Sequence, residues 1–203
     1  ITVFGSGHLK NSLFRDNTGA SDAADLFLLS QSPPTVDSCL FLSYMTIQSR
    51  YGGTYCNINN CTMIGYVELS SPLPVITNSI IYNDYGVFCG GDTCTVMYSY
   101  VSGGYEGEGN IDAANPLFCN PDSGDFTLSE NSPCVGTGEN GVNMGAFGVG
   151  CGPMILEPVL AAIDDQQIDE DGSVTIGVSA TSDMGLDMTF SVHSDTSDVV
   201  VSL

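Results

Sequence analysis

Asn60-Cys61-Thr62-Met63 and Asn78-Ser79-Ile80-Ile81 are two copies of one four-residue word, and the fold is read from its recurrence. The word stands also at Asn11-Ser12-Leu13-Phe14 and Ser38-Cys39-Leu40-Phe41, and more loosely at Tyr98-Ser99-Tyr100-Val101. Its second positions are 12, 39, 61, 79 and 99, so the steps are 27, 22, 18 and 20 residues. Steps of about 22 residues suit one coil of a parallel β-helix, whereas helical repeats run longer. The longest step holds Ser32-Pro33-Pro34, a loop that bulges from one coil.

Period-2 alternation sends positions two and four of each word inward. Ser12, Cys39, Cys61, Ser79 and Ser99 then form one column, and Phe14, Phe41, Met63, Ile81 and Val101 another. Small residues beside large ones fill a narrow tube without clashes. In this column a thiol counts as a compact hydrophobe. The amides of Asn11, Asn60 and Asn78 are expected to bond the turn backbone of their own or the next coil; the alternative is that they are sugar ligands. Position three (Leu13, Leu40, Thr62, Ile80, Tyr100) points outward. Such a column is either a binding strip or the seat of a covering loop or neighbour.

Downstream runs Asn110–Gly148, NIDAANPLFCNPDSGDFTLSENSPCVGTGENGVNMGAFG. Asn120-Pro121 and Ser123-Gly124 punctuate it into strand, turn, strand, because Pro presets φ and Gly accepts positive φ. Val142, Met144 and Ala146 sit two apart, the spacing of a last short strand. The order GNIDA, NPLF, GDFTL, SPC, MGAF resembles the C-terminal end of bacterial right-handed parallel β-helix proteins of the pectin-lyase-like superfamily. That resemblance spans roughly Ile1 to Pro153 and implies a fold and a secreted or surface setting. It implies no reaction, since such folds host lyases, hydrolases, adhesins and inert stalks.

The chain has 203 residues, 24 of them acidic and 3 basic, for a formal charge of −21. Phosphate recognition needs Lys and Arg, so nucleic acid and anionic lipid are excluded as partners. A polyanion would be held tightly only with intervening cations. Eight cysteines favour an oxidising, extracellular compartment. No stretch approaches the roughly 20 apolar residues of a membrane span, so no insertion is expected. The chain opens at Ile1-Thr2-Val3-Phe4 without an initiator Met or signal peptide and closes at Val199-Val200-Val201-Ser202-Leu203 in mid-strand. Both ends look cut, as in an internal fragment of a longer protein.

From about Pro158 the style changes to alternating apolar runs split by acidic and Gly turns, without Lys or Arg, which suggests sandwich strands. The segment IDDQQIDEDGSVTIGVSATSDMGLDMTFSV is similar to the first half of a cadherin-like bacterial surface module. The resemblance implies Ca²⁺ at Asp169-Glu170-Asp171, against the alternative of a solvated acidic turn. The family's second acidic word is degraded to Thr181-Ser182-Asp183-Met184-Gly185-Leu186-Asp187, which lowers the ligand count.

Enzymes of this fold that cleave acidic polysaccharide need clustered carboxylates and a basic residue. His8, Lys10, Arg15 and Asp16, in GHLKNSLFRDN, are the one candidate catalytic set, against ordinary polar residues beside an outward strand. Cys89-Gly90-Gly91-Asp92-Thr93-Cys94 reads as a disulfide-closed turn. Cys134 and Cys151 bracket the final strand and are expected to pair, while Cys56 and Cys119 stay unassigned. Zinc lacks a matching ligand motif.

The expectation is therefore all-β: right-handed parallel β-helix coils over 1–109, a capping hairpin over 110–152, a linker over 153–158 and a partial cadherin-like or Ig-like β-sandwich over 159–203. The function expected is a non-catalytic secreted or cell-surface scaffold or adhesin segment. Its partners would be surface polysaccharide or another surface protein, with no cofactor beyond Ca²⁺. The rival is the C-terminal part of a polysaccharide lyase or glycoside hydrolase. The hairpin 117–128 and the strand 142–147, through Phe118, Phe126, Leu128, Met144 and Phe147, are expected to cover the open end of the last coil.

Overall fold

The computed structural model describes residues 2–4, 8–15, 27–29, 35–43, 45–48, 56–70, 74–89, 94–112, 115–154, 159–161, 163, 167, 172–181 and 190–191. The chain divides into two compact units, Ile1–Met154 and Ile155–Leu203. The first is an all-β, right-handed parallel solenoid of five three-stranded coils. Coil 1 is β1 (Thr2–Phe4), β2 (His8–Lys10) and β3 (Leu13–Phe14). Coil 2 is β4 (Phe27–Leu29), β5 (Thr35–Asp37) and β6 (Leu40–Phe41). Coil 3 is β7 (Met45–Gln48), β8 (Asn57–Asn59) and β9 (Thr62–Met63). Coil 4 is β10 (Val67–Ser70), β11 (Val75–Thr77) and β12 (Ile80–Ile81). Coil 5 is β13 (Val87–Cys89), β14 (Thr95–Met97) and β15 (Tyr100–Val101).

Corresponding strands stack in parallel, and the register matches the words. Phe14, Phe41, Met63, Ile81 and Val101 are successive partners in one sheet, all buried. Phe14 stacks on Phe41 at 4.7 Å between ring centroids. Val36, Ile58, Ile76 and Val96 form a second inward column, on the sheet β2-β5-β8-β11-β14. Between these two sheets each coil turns on one residue with positive φ: Asn11, Ser38, Asn60, Asn78 and Tyr98, at 47° to 53°. This left-handed conformation crowds Cβ, and Asn tolerates it best after Gly. The first letter of the word is therefore conformational before it is anything else.

The second letter is chemical. Ser12, Ser79 and Ser99 each donate a hydroxyl to the carbonyl two residues back, at 2.8–2.9 Å, and the Cys39 and Cys61 thiols do the same at 3.3 Å. The hydroxyls of Ser79 and Ser99 also serve the coil before them. The Cys61 amide donates to Ser79 Oγ and the Ser79 amide to Ser99 Oγ, both at 3.1 Å. The cysteines in this column are thus hydrogen-bonded turn closers, which the reading of them as plain hydrophobes omitted.

The ladder ends on a sixth copy of the word, Gly109-Asn110-Ile111. Gly109 has the positive φ, and Ile111 bridges Tyr100. Asn110 Oδ1 accepts the Ser99 amide at 3.1 Å, and its Nδ2 donates to the carbonyls of Val96 and Tyr105. Tyr105 packs against the tube core and donates its hydroxyl to the Cys94 carbonyl at 3.2 Å. Together they close the tube, a role that the sequence reading gave to the hairpin and the strand after it.

The hairpin exists, but it lies alongside the tube. β16 (Phe118–Asn120) and β17 (Asp125–Ser129) pair antiparallel around a 3₁₀ turn, Pro121–Ser123. β17 then pairs in parallel with β18 (Val149–Cys151). The expected strand at 142–147 is instead an irregular strap. Phe147 is 39 % exposed, so it covers nothing fully. Met144 is buried with Leu40, Ile80, Tyr100, Phe118, Phe126 and Leu128. The strap is pinned by Gly145 N to Asn78 O (2.8 Å), Ala146 N to Thr62 Oγ1 (3.0 Å) and Glu139 N to Asn78 Oδ1 (2.7 Å). Asn60 donates to the Asn143 carbonyl at 3.1 Å. The outward column is therefore the seat of a covering segment. Leu13, one coil beyond the covered Leu40, is 54 % exposed.

In the second unit, β19 (Val159–Leu160) and β20 (Ala180–Thr181) form an antiparallel pair.

Asn110→Ala would strand the Ser99 amide and the Val96 carbonyl at the tube end. Urea unfolding should show a loss of roughly 1–3 kcal/mol, and an unchanged midpoint would mean that Tyr105 closes the end unaided.

Candidate functional site

His8 and Lys10 project outward from β2, two residues apart on one face. Their column partners are Thr35 and Asp37 on β5. Lys10 Nζ lies 2.9 Å from Asp37 Oδ2, and His8 Nδ1 is hydrogen-bonded to Thr35 Oγ1. Hydrogen bonds to Lys10 and Asn59 hold the Asp37 carboxyl below its usual range, against a partial desolvation that acts the other way. The chain of contacts continues along the sheet. Asn59 Nδ2 donates to Asp37 Oδ1 at 3.2 Å, and Asn59 Oδ1 accepts from Thr77 Oγ1 and Asn78 Nδ2 at 3.0 Å each. Arg15 follows β3, past the corner and on the next face, and Asp16 lies outside the described residues. Sequence reasoning missed Asp37, although it precedes its word by the same offset at which Lys10 precedes the first.

The cysteines divide differently from expectation. Cys89–Cys94 is a disulfide, joining the last residue of β13 to the residue before β14. Cys151 is bonded to Cys119, not to Cys134. The reason is the position of the last strand: β18 is at Val149–Cys151, two strands from β16, and the bridge spans β17 between them. Cys134 sits in the interior under the strap, fully buried, and burial pushes its thiol up to about 12. Cys39, Cys56 and Cys61 are free and buried as well, with Cys56 also raised to about 12 by burial. The Asp169-Glu170-Asp171 turn lies outside the described residues. Among those described, no group of three or more His, Cys, Asp or Glu side chains is placed to hold a metal ion.

A site that sequence reasoning did not single out lies at the corner between the sheet containing β12 and the sheet containing β13. In coil 4 that corner is 64–66; in coil 5 it is 82–86, longer by Asp84 and Tyr85. The longer corner stands out beside Tyr66 and leaves a cleft of about 370 Å³, lined by Tyr66, Tyr82, Asn83, Asp84, Tyr85 and Ser102 among others. Tyr66 and Tyr85 meet edge to face, at 5.7 Å and 73°. Tyr82 is held from behind by Tyr100 and Phe118, each at 6.1 Å.

The cleft is braced by Asn83. Its Oδ1 accepts the Tyr85 amide at 2.9 Å, and its Nδ2 donates to the Gly65 carbonyl of the coil before at 3.0 Å. Gly65 in turn has no room for a side chain, since a Cβ there would overlap the Ser43 carbonyl. Tyr85 is nonetheless 75 % exposed. The arrangement offers ring faces with polar groups at their edge. The signal in the sequence was the Tyr82-Asn83-Asp84-Tyr85-Gly86 turn, but its excess length shows only once the strand ends are known.

No family model, curated protein or solved structure matches the chain.

Two outcomes check these assignments. Ellman's reagent should find no reactive thiol in the native protein and four after unfolding, with Cys119 and Cys151 linked in peptide maps; a Cys134–Cys151 peptide would reverse the pairing. Lys10→Ala should move the Asp37 carboxyl titration, followed by NMR, upward toward the ordinary carboxylate range. Because the folded-state value is lowered, the pair stabilises above about pH 4 and the contribution is lost as pH falls through that lowered value. Lys10 is well exposed, so the stability change should stay below about 1 kcal/mol.

Proposed function

We propose that the chain is a non-catalytic, secreted or cell-surface scaffold or adhesin segment. In this reading it is a pectin-lyase-like parallel β-helix followed by a cadherin-like module, in contact with surface carbohydrate or another surface protein. The observation that carries it is the use made of the polar face. Lys10, Asp37, Asn59 and Thr77 bind one another from coil to coil and so serve the stack. A catalytic base or charge clamp is instead held for its substrate. Two disulfides fit an oxidising, extracellular setting. The charge of −21 fits a soluble surface that resists association with polyanions.

The rival reading keeps a lyase or hydrolase active site in coils beyond this stretch, or at Lys10 and Arg15. Incubation with pectin, alginate and a glycosaminoglycan separates the two, with reducing ends and unsaturated products measured. The expected result is no product above the blank. Product formation that disappears in Lys10→Ala or Arg15→Ala would establish the enzyme reading.

A further inference from the structure

We infer that the tyrosine cleft at the 82–86 corner is a binding subsite for a neutral polysaccharide, one pyranose ring lying on Tyr85 with its edge hydroxyls at Asp84. The inference rests on the scaffold reading, and names the chemistry by which such a scaffold would hold carbohydrate.

Three observations carry it. The first is aromatic geometry. An aromatic face is electron-rich, and a pyranose presents a face of weakly positive C–H groups that packs flat on it. Tyr66 and Tyr85 stand nearly perpendicular, 73° apart, which supplies a floor and a side wall for one ring. A hydrophobic partner would be better served by a closed groove, yet Tyr85 is 75 % exposed.

The second is the polar edge. Neither the Asp84 carboxylate nor the Tyr85 hydroxyl hydrogen-bonds another described residue, whereas both ends of the Asn83 amide are used in bracing the corner. A carboxylate offers two acceptor oxygens to neighbouring hydroxyl donors, the pattern that vicinal sugar hydroxyls match. No basic side chain is among the described residues lining the cleft. With a net charge of −21 around it, a uronate or sulfated sugar would be repelled, so the ligand is uncharged.

The third is preorganisation. Asn83 ties the corner both to itself and to the Gly65 carbonyl, and Tyr82 is packed between the cleft and Tyr100 and Phe118. The rings are thus placed before any ligand arrives, which lowers the ordering cost that weakens shallow sites.

The test is affinity electrophoresis of the 203-residue chain in native gels containing mixed-linkage β-glucan, galactomannan or xylan, with polygalacturonate as the acidic comparison. At least one neutral polymer should retard the protein and polygalacturonate should not. Tyr85→Ala should weaken the retardation at least tenfold, Asp84→Ala should weaken it by less, and Tyr85→Phe should retain most of it. Both positions are exposed, and an unchanged thermal melt confirms that each variant is folded. Retardation by none of the three neutral polymers, retardation by polygalacturonate alone, or binding untouched by Tyr85→Ala would each overturn the inference. Failure of the scaffold reading looks different: a protein that releases product yet needs Tyr85 for retardation is an enzyme with this subsite. A silent protein that no neutral polymer retards is a scaffold without it.

Discussion

A backbone amide that loses its strand partner at each corner is the constraint on which this solenoid depends. The left-handed residue that swings the chain from one sheet to the next interrupts the ladder of main-chain hydrogen bonds just where the core begins. A buried amide without an acceptor is costly, so the acceptor must come from a side chain of the following coil. Ser79 Oγ and Ser99 Oγ take that part at 3.1 Å and donate their own hydrogen bonds to the carbonyl two residues back. The side chain must be short enough to sit within the tube and polar enough to work in both directions. Each coil is thereby completed by its successor. The last one needs a terminator of longer reach, and Asn110 supplies it with an acceptor for Ser99 and donors for two carbonyls.

The same corner explains how the outside of the tube is covered. Asn60 and Asn78 hold the left-handed turns, and one end of each side-chain amide is bonded to Asn59, which leaves the other end for a further partner. The strap that crosses them uses it: Asn60 binds the Asn143 carbonyl, and Asn78 binds the Glu139 amide. Between these polar pins the apolar third letters, Leu40, Ile80 and Tyr100, meet Met144 and the hairpin. Closing the tube and covering its side are thus separate tasks. Tyr105 with Asn110 performs the first, and residues 117–147 the second.

The local and periodic parts of this architecture were legible in the sequence. The word, its steps and its two inward columns follow from strand alternation, and each is written within four residues. What escaped was non-local or atypical. The sixth word has Gly in place of Asn, and its second position follows the fifth after 11 residues instead of about 20. The partner of Cys151 depended on where the last strand lay, and regular spacing at Val142, Met144 and Ala146 pointed to the wrong place. In that segment Gly145, at φ 90°, is pressed against Ile80, so the alternation reflects contact with the tube and not a strand. The polar chain Lys10–Asp37–Asn59–Thr77 needed the register to be seen, because its members lie 18 to 27 residues apart. The tyrosine cleft needed the lengths of neighbouring corners.

Those corner lengths also show where such a fold can accept change. Residues on the sheet β2-β5-β8-β11-β14 are committed outward to one another and inward to the core. Those on β6, β9, β12 and β15 are committed to the core and to the covering strap and hairpin. A residue inserted in either would shift the register by one and turn every later side chain to the opposite face. At the corner after β12 the same insertion costs nothing in register. Val87 still meets Val67, and Phe88 still meets Glu68, although Asp84 and Tyr85 have been added between them and the preceding strand. The extra residues project outward because the positions beneath are already filled, and Asn83 anchors their base to the coil before. A repeating scaffold therefore gains an individual surface feature where its strands end, and the exposed Tyr85, on the corner that Asn83 braces, stands at such a place.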